Sequence, residues 1–262
     1  MQLDMCQRWN TGRSGWSKRP AIDTRLHSVE SIPDDKTASD FVARHHYLGS
    51  MPAARFRFGL YREGLGLAGV AVFSVPCRDA VVSSVFPGDP RASLDLGRFV
   101  LLDCVEANGE TWFLGECFRR LRATGIEGVV AFSDPMPRKD MNGDTVMPGH
   151  VGTIYQAFNA CYLGRRRSEY LWMLPNGRTL HRRTMSKIRK RDRGWLRGAA
   201  SLVEFGADEP CGNTSEWLDH WLPRIATRKK HPGNHKYAWA VDRRIRKHLP
   251  RGTSHIYPKK GA

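Results

Sequence analysis

The chain has no apolar segment long enough to cross a bilayer. Its longest apolar run, Leu65–Val75, is broken by two glycines and a serine, whereas a spanning helix needs about 20 apolar residues. The first residues are polar, with no apolar core behind them, which predicts a cytoplasmic chain without a secretory leader. Cysteine is sparse and unpatterned. Cys6, Cys77, Cys104, Cys117, Cys161 and Cys211 show neither zinc-ribbon nor disulfide-framework spacing, so they are expected to be reduced thiols. Internal repeats are absent. Acidic residues run short only toward the end. The first 164 residues carry 18 basic and 18 acidic residues, while the last 98 carry 24 and 8, so the whole net charge of +16 sits there. A neutral body with a basic tail region points to a polyanionic partner, most often nucleic acid; solubility, or a partner with an acidic surface, is the alternative.

What is present reads as a layered α/β (α+β) protein with a mixed sheet. Residues 1–35, basic over the first 20 and without periodicity, predict a mobile arm. Thr37 and Asp40 suggest a capping box for a helix running to His46 and stopped by Gly49. Arg55–Tyr61 alternates and Leu67–Val75 is nearly all apolar, a hairpin of a half-exposed and a buried strand. Leu94–Leu102 and Val129–Phe132 read as further strands, with an amphipathic helix at Trp112–Arg122 between them. A helix at Thr153–Tyr162 and a strand at Glu169–Leu174 complete a domain over residues 36–178. Residues 179–262 form a basic, mostly helical extension. In it Leu180–Arg197 is basic, Ala199–Asn213 is loop-like, Trp217–Ile225 is amphipathic and Lys236–Leu249 suggests a basic helix.

Four places carry polar chemistry. His45-His46-Tyr47 ends a helix, where the two imidazoles point about 100° apart; one core-edge and one surface histidine is the plain alternative to a site. Arg98 lies inside an apolar strand, and a buried arginine needs a partner. Asp95 or Asp103 could be that partner, or a bound anionic group could. Ser133-Asp134-Pro135 closes a strand, where catalytic side chains collect, unless it is only a turn. Tyr155, Asn159 and Tyr162 share a helix face if the helix is continuous, as an aromatic core stripe also would. No Gly-rich pyrophosphate loop opens the helix after Val100–Asp103; Glu106–Thr111 stands there instead.

The order of these motifs resembles the Mom-type phage DNA-modification proteins. The segments that carry the resemblance are Arg44–Gly49, Leu96–Val100, Ala131–Pro135, Gly149–Ala157 and Tyr162–Gly164, with His235–Tyr237 and Tyr257–Lys259 near the end. The resemblance implies a GNAT-like mixed central sheet flanked by helices. It also implies conversion of adenine in double-stranded DNA to an N6-carbamoylmethyl form, which shields phage DNA from restriction. By position it implies His46, Tyr47, Arg98, Asp134 and Tyr155 as essential residues, with Ser133 beside them, and Arg98 and Ser133 on the donor. Iron and an acyl-coenzyme A are the cofactors it implies. Two chemistries stay open. In one, His46, Tyr47 and Asp134 hold iron, with His45 as a substitute. In the other the site is metal-free: Asp134 helps remove the N6 proton, Tyr155 is the general acid and Arg98 holds the donor's oxygen. DNA would be gripped by Arg182, Arg183, Lys187, Arg189, Lys190, Arg191, Lys236, Arg243 and Arg244. Two other functions stay open too: a GNAT-like N-acyltransferase acting on a protein, a small amine or an aminated DNA pyrimidine, and a DNA-binding module without catalysis.

Overall fold

A computed structural model describes residues 20–250 and 256–259. In chain order the elements are β1 (His27–Ser31), α1 (Asp35–His45), β2 (Ala54–Arg62), β3 (Gly66–Ser74), a single turn α2 (Ala80–Ser83), β4 (Ser93–Leu101), α3 (Gly109–Ala123), β5 (Gly128–Ser133), β6 (Arg138–Lys139), β7 (Thr145–Met147) and α4 (Thr153–Ala157). There follow β8 (Cys161–Arg165), β9 (Glu169–Met173), β10 (Thr179–Leu180), α5 (Arg182–Lys190), α6 (Trp195–Val203), α7 (Thr214–Ile225), β11 (Thr227–His231), β12 (His235–Ala240) and a 3-10 segment, Arg243–His248. They fall into two compact units. One comprises the chain up to Asp134, His150–Arg165 and everything from Asn234; the other comprises Pro135–Gly149 and Arg166–Gly233.

The first unit is built on a seven-stranded sheet in the order β1-β2-β3-β4-β5-β12-β8. Only β4 and β5 run parallel. β3 is continuously apolar because both its faces are covered. Val70 and Val72 pack with Phe41 and Val42 of α1. Ala71 and Phe73 pack with Phe113, Leu114, Cys117 and Phe118 of α3. Each such buried Phe or Leu contributes about 1.5–3 kcal/mol. β4 and β5 stay paired over three residues only, Ser93–Asp95 against Gly128–Val130. Further on, β4 pairs only with β3 and β5 only with β12, so the two strands part toward their carboxyl ends.

Several expectations need correcting. Of the arm expected over residues 1–35, residues 1–19 lie outside the described ones. The later part contains β1, an edge strand, because Val29 and Ile32 bury their side chains. The cap of α1 is Asp34, whose carboxylate accepts the Thr37 N–H at 2.7 Å, not the Thr37–Asp40 box. The helix expected over Thr153–Tyr162 stops at Ala157. Asn159 turns left-handed (φ 53°), which asparagine tolerates, and Tyr162 lies in β8, so the three-residue helix face does not form. The basic helix expected at Lys236–Leu249 is β12 and a 3-10 segment. Tyr237 and Trp239 alternate into the core there, and that burial outweighs helix propensity.

In the second unit, β9 lies between β10 and β11 in an antiparallel sheet, and β6 pairs with β7. Helices α5 to α7 close around Ile188, Leu202, Leu218 and Leu222. The basic stretch Leu180–Arg197 thus contributes two buried side chains, Leu180 and Ile188, to an apolar core. Part of the expected loop at Ala199–Asn213 is helical through Val203, because Ala199 and Leu202 are buried.

Candidate active site

The site forms where β4 and β5 part. Val72 pairs with Arg98 but Phe73 pairs with Leu96, so Gly97 is an extra residue in β4. In a regular strand Asp95 and Arg98, three apart, would face opposite sides. The bulge turns them to one side. Arg98 reaches the turn that follows α1. Its Nε donates to the Ser50 carbonyl at 2.6 Å, one terminal nitrogen donates to the Ser50 hydroxyl at 3.3 Å, and the other donates to the Gly97 carbonyl. The same turn is closed by Gly49 N–H on the His46 carbonyl (2.8 Å) and by Leu48 N–H on His46 Nδ1 (3.2 Å). His46 thereby keeps Nδ1 as the acceptor, which leaves the proton of a neutral ring on Nε2.

Burial dominates the electrostatics. It lowers His46 to about 3, with Arg98 and His150 adding to the effect. It raises Asp95 to about 7, against the pull of Arg98 and Lys236. It lowers Arg98, which Tyr47, Asp95 and Tyr155 partly offset. Tyr155 is raised far above a normal phenol, again by burial, with Arg98 opposing. Five side chains, His46, Tyr47, Asp95, Arg98 and Tyr155, from three places in the sequence therefore share one field.

Beside them stands His150, at the start of the segment that leads into α4. Its Nε2 lies 3.1 Å from the Tyr47 hydroxyl, and His46 stacks on Tyr47 at 4.3 Å between centroids. Its backbone N–H donates to the Asp134 carbonyl at 2.8 Å, tying the loop to the end of β5. Burial lowers His150 to about 4; the Asp134 charge opposes this and His235 reinforces it. Ser133 is wholly buried and its hydroxyl makes no well-formed hydrogen bond. It lies close enough to Tyr237 to pull that phenol slightly back from the value of about 12 to which burial drives it. Tyr237 donates to the Val151 carbonyl and accepts from Gln156 at 3.2 Å. Tyr162 and His235 meet at 2.7 Å.

The structure thus groups His46, Tyr47, Arg98 and Tyr155, and reaches Asp134 through His150. Ser133 belongs to the Tyr237 side. His45 packs on Phe41 at 4.5 Å, so His46 is the imidazole of the pair that joins the site. From sequence Asp95 stood only as one of two partners offered for Arg98, and His150, His235 and Tyr237 only within the resembling segments. His150 had a further signal, an imidazole beside Gly149 after a long loop. Strand alternation sends Asp95 to the face opposite Arg98, and the bulge at Gly97 overrides it.

Neither an iron site of His, Cys, Asp or Glu side chains nor a Gly-rich pyrophosphate loop is evident among the described residues. Iron needs a converging donor set, and among the described residues no group of three or more His, Cys, Asp or Glu side chains could hold a metal ion. A coenzyme A pyrophosphate would need a free helix start after β4. At the start of α3, however, Glu110 is 1% exposed and Glu106 sits one turn earlier, in an ion pair with Arg62 at 2.8 Å. Ala107 is already bonded to the Pro20 carbonyl and to Ile22 N–H. The carboxylates would repel the pyrophosphate, and the backbone offers it no cradle.

The nine expected DNA contacts are not equivalent. Arg189 makes a bidentate pair with Asp219 at 2.7 and 3.0 Å. Arg191 donates to the Gly212 carbonyl, Arg244 pairs with Asp242, and Arg182 lies 3.9 Å from Glu169. Lys236 donates to Val81 and Ser84. Arg183, Lys187, Lys190 and Arg243 have no such engagement among the described residues.

The raised Asp95 gives a stability test. Its carboxyl is protonated more readily in the fold than in the unfolded chain, so its favourable contribution is complete below about pH 4 and is lost as pH rises through about 7. Asp95→Asn should gain on the native chain by about 1.4 kcal/mol per pH unit across that window. Urea unfolding from pH 4 to 8 measures it; a constant difference between the two chains would contradict the shift.

No individually curated protein matches the chain. Among solved structures it is similar to a tandem GNAT protein of the clavulanic acid biosynthesis pathway, crystallised without AcCoA. That match has 10% identity, covers 82% of this chain and 99% of the other, and has a TM-score of 0.43. A protein assigned as a phosphinothricin N-acetyltransferase matches at 11% identity over 56% of this chain and 86% of the other, with a TM-score of 0.30. The family model is the stronger finding, since it spans residues 27–259 and so includes every site residue described above. The chain belongs to the Mom protein family of phage DNA-modification proteins.

Proposed function

We propose that this chain is a transferase that alters the N6 amino group of adenine in double-stranded DNA, in the carbamoylmethyl manner, and so hides phage DNA from restriction. The observation that carries the reading is the grouping of His46, Tyr47, Arg98, Tyr155 and His150 at the parted strands, within a chain of this family. Adenine N6 is a weak nucleophile, and inside the duplex it is out of reach. The base must be flipped out, at a cost of a few kcal/mol, while cations of the last 98 residues hold the backbone.

The residues divide the chemistry. N6 attacks the electrophilic carbon of an activated donor, and the leaving group departs with the electron pair. Tyr47 passes the N6 proton to His150, which is neutral at physiological pH, and the Asp134 charge steadies the imidazolium. Arg98 has N–H groups beyond its three bonds, and these hold the donor by its carbonyl oxygen and so orient the carbon under attack. Tyr155, held protonated by burial, donates to the leaving group. Bulk on N6 then blocks the major-groove edge where adenine presents its N6 donor.

Mass spectrometry of nucleosides from plasmid DNA in expressing cells tests this, beside an Asp134→Ala control. A deoxyadenosine heavier by the carbamoylmethyl group, absent in the control, is the expected result. A modified pyrimidine would replace the substrate. Unmodified DNA from well-expressed protein would favour an N-acyltransferase of proteins or small amines.

A further inference from the structure

The strand β11 reads Thr227-Arg228-Lys229-Lys230-His231 and has a single neighbour, β9, which leaves it an edge strand. Its three cations are exposed, and none has a carboxylate partner among the described residues. Pairing sets Arg228 opposite Trp172 and Lys230 opposite Tyr170, so both cations share a face with Tyr170, about 7 Å apart along the strand. Lys229 charges the other face. The Arg228 guanidinium lies 4.1 Å from the centroid of the Tyr170 ring, which is itself 49% exposed. This contact holds the guanidinium extended, so less side-chain entropy is lost when it binds. At the end of the strand, Gly233 (φ 95°) passes so close to the Arg166 and Arg167 backbone that a Cβ would lie 2.0 Å from the Arg166 carbonyl oxygen. Two more exposed cations, Arg166 and Arg167, are thereby fixed beside β11.

One lysine suffices to blunt a sheet edge against unwanted pairing. Three consecutive cations, a stacked arginine and an adjoining arginine pair exceed that need. At α5, Arg189 is spent on Asp219, and Arg191 just past the helix on the Gly212 carbonyl, which interrupts the run of available cations that β11 keeps unbroken. We propose that β11, with the Arg166–Arg167 connection, is a phosphate-binding ribbon for duplex DNA. This rests on the DNA-modification reading above.

The test is binding of a fluorescent duplex oligonucleotide to the full chain across a range of salt concentrations. Each phosphate contact contributes about 0.9 to the log–log slope, so Arg228→Ala/Lys229→Ala/Lys230→Ala should reduce its magnitude by about 2–3 and weaken binding at least about ten-fold. A control triple, Arg25→Ala/Arg91→Ala/Arg119→Ala, removes the same formal charge from cations already paired with Asp23, Asp89 and Glu116, and should change the slope by less than one contact. Thermal unfolding of both variants should match the native chain. A native slope retained by the β11 variant would overturn the ribbon alone. A native chain with no salt-dependent binding would remove the DNA reading and the ribbon with it.

Discussion

Arg98→Met should all but abolish DNA modification while leaving a folded protein. Methionine keeps most of the aliphatic stem, so packing between β4 and the turn after α1 survives. What goes is the charge and its fork of donors. Misplacing a reacting group by about 1 Å costs about 10²-fold in rate. Arg98 is expected to cost at least that, because it also holds the Ser50 carbonyl and hydroxyl and so fixes the turn carrying His46 and Tyr47. Arg98→Lys separates the two roles. It restores a positive charge for Asp95 but cannot make three divergent bonds at once, so it should recover stability more than rate. Modified nucleoside per plasmid, read beside the unfolding midpoint, decides the matter. A methionine variant with native modification would remove Arg98 from the chemistry.

Much of this fold was legible because its signals are local. β3 is almost purely apolar, and only a strand covered on both faces can be so. The α3 pattern of Phe113, Cys117 and Leu121 meets the sheet as a four-residue spacing requires. The site was legible in part. Arg98 stood out as a charge in an apolar strand, and Asp134 as an acid at a strand end. Tyr47 and Tyr155 needed the family's motif order, since an aromatic in a helix or its turn is ordinarily core. Long-range pairing was not legible. β12 takes its place between β5 and β8 because two aromatic side chains are buried there, and no local propensity announces that. Asp95 could be read only as one of two candidate partners for Arg98, because alternation fails at one residue, Gly97.

That residue carries the other large effect. Gly97→Ala should cut modification at least about 100-fold, the scale on which a 1 Å misplacement of a reacting group acts. It should also cost about 1–3 kcal/mol, as overpacking does. A Cβ at this position would stand 2.5 Å from Ser74 Oγ and 2.7 Å from the Pro52 ring. Neither neighbour yields readily: Ser74 is buried and bonded to the Asp95 carbonyl, and Pro52 is a rigid ring just past the turn that Arg98 anchors. The strand can escape the clash only by flattening the bulge or sliding its register, and either motion sends Arg98 or Asp95 toward the opposite face. Gly115→Ala is the control. It lies inside α3, and the nearest atom to its Cβ is in Phe158 at 3.9 Å, so it should add about 0.5–1 kcal/mol of helix stability and leave the rate unchanged. If Gly97→Ala modified DNA at the native rate, the bulge would be an accident of packing, and the shared face of Asp95 and Arg98 would not be what positions the site.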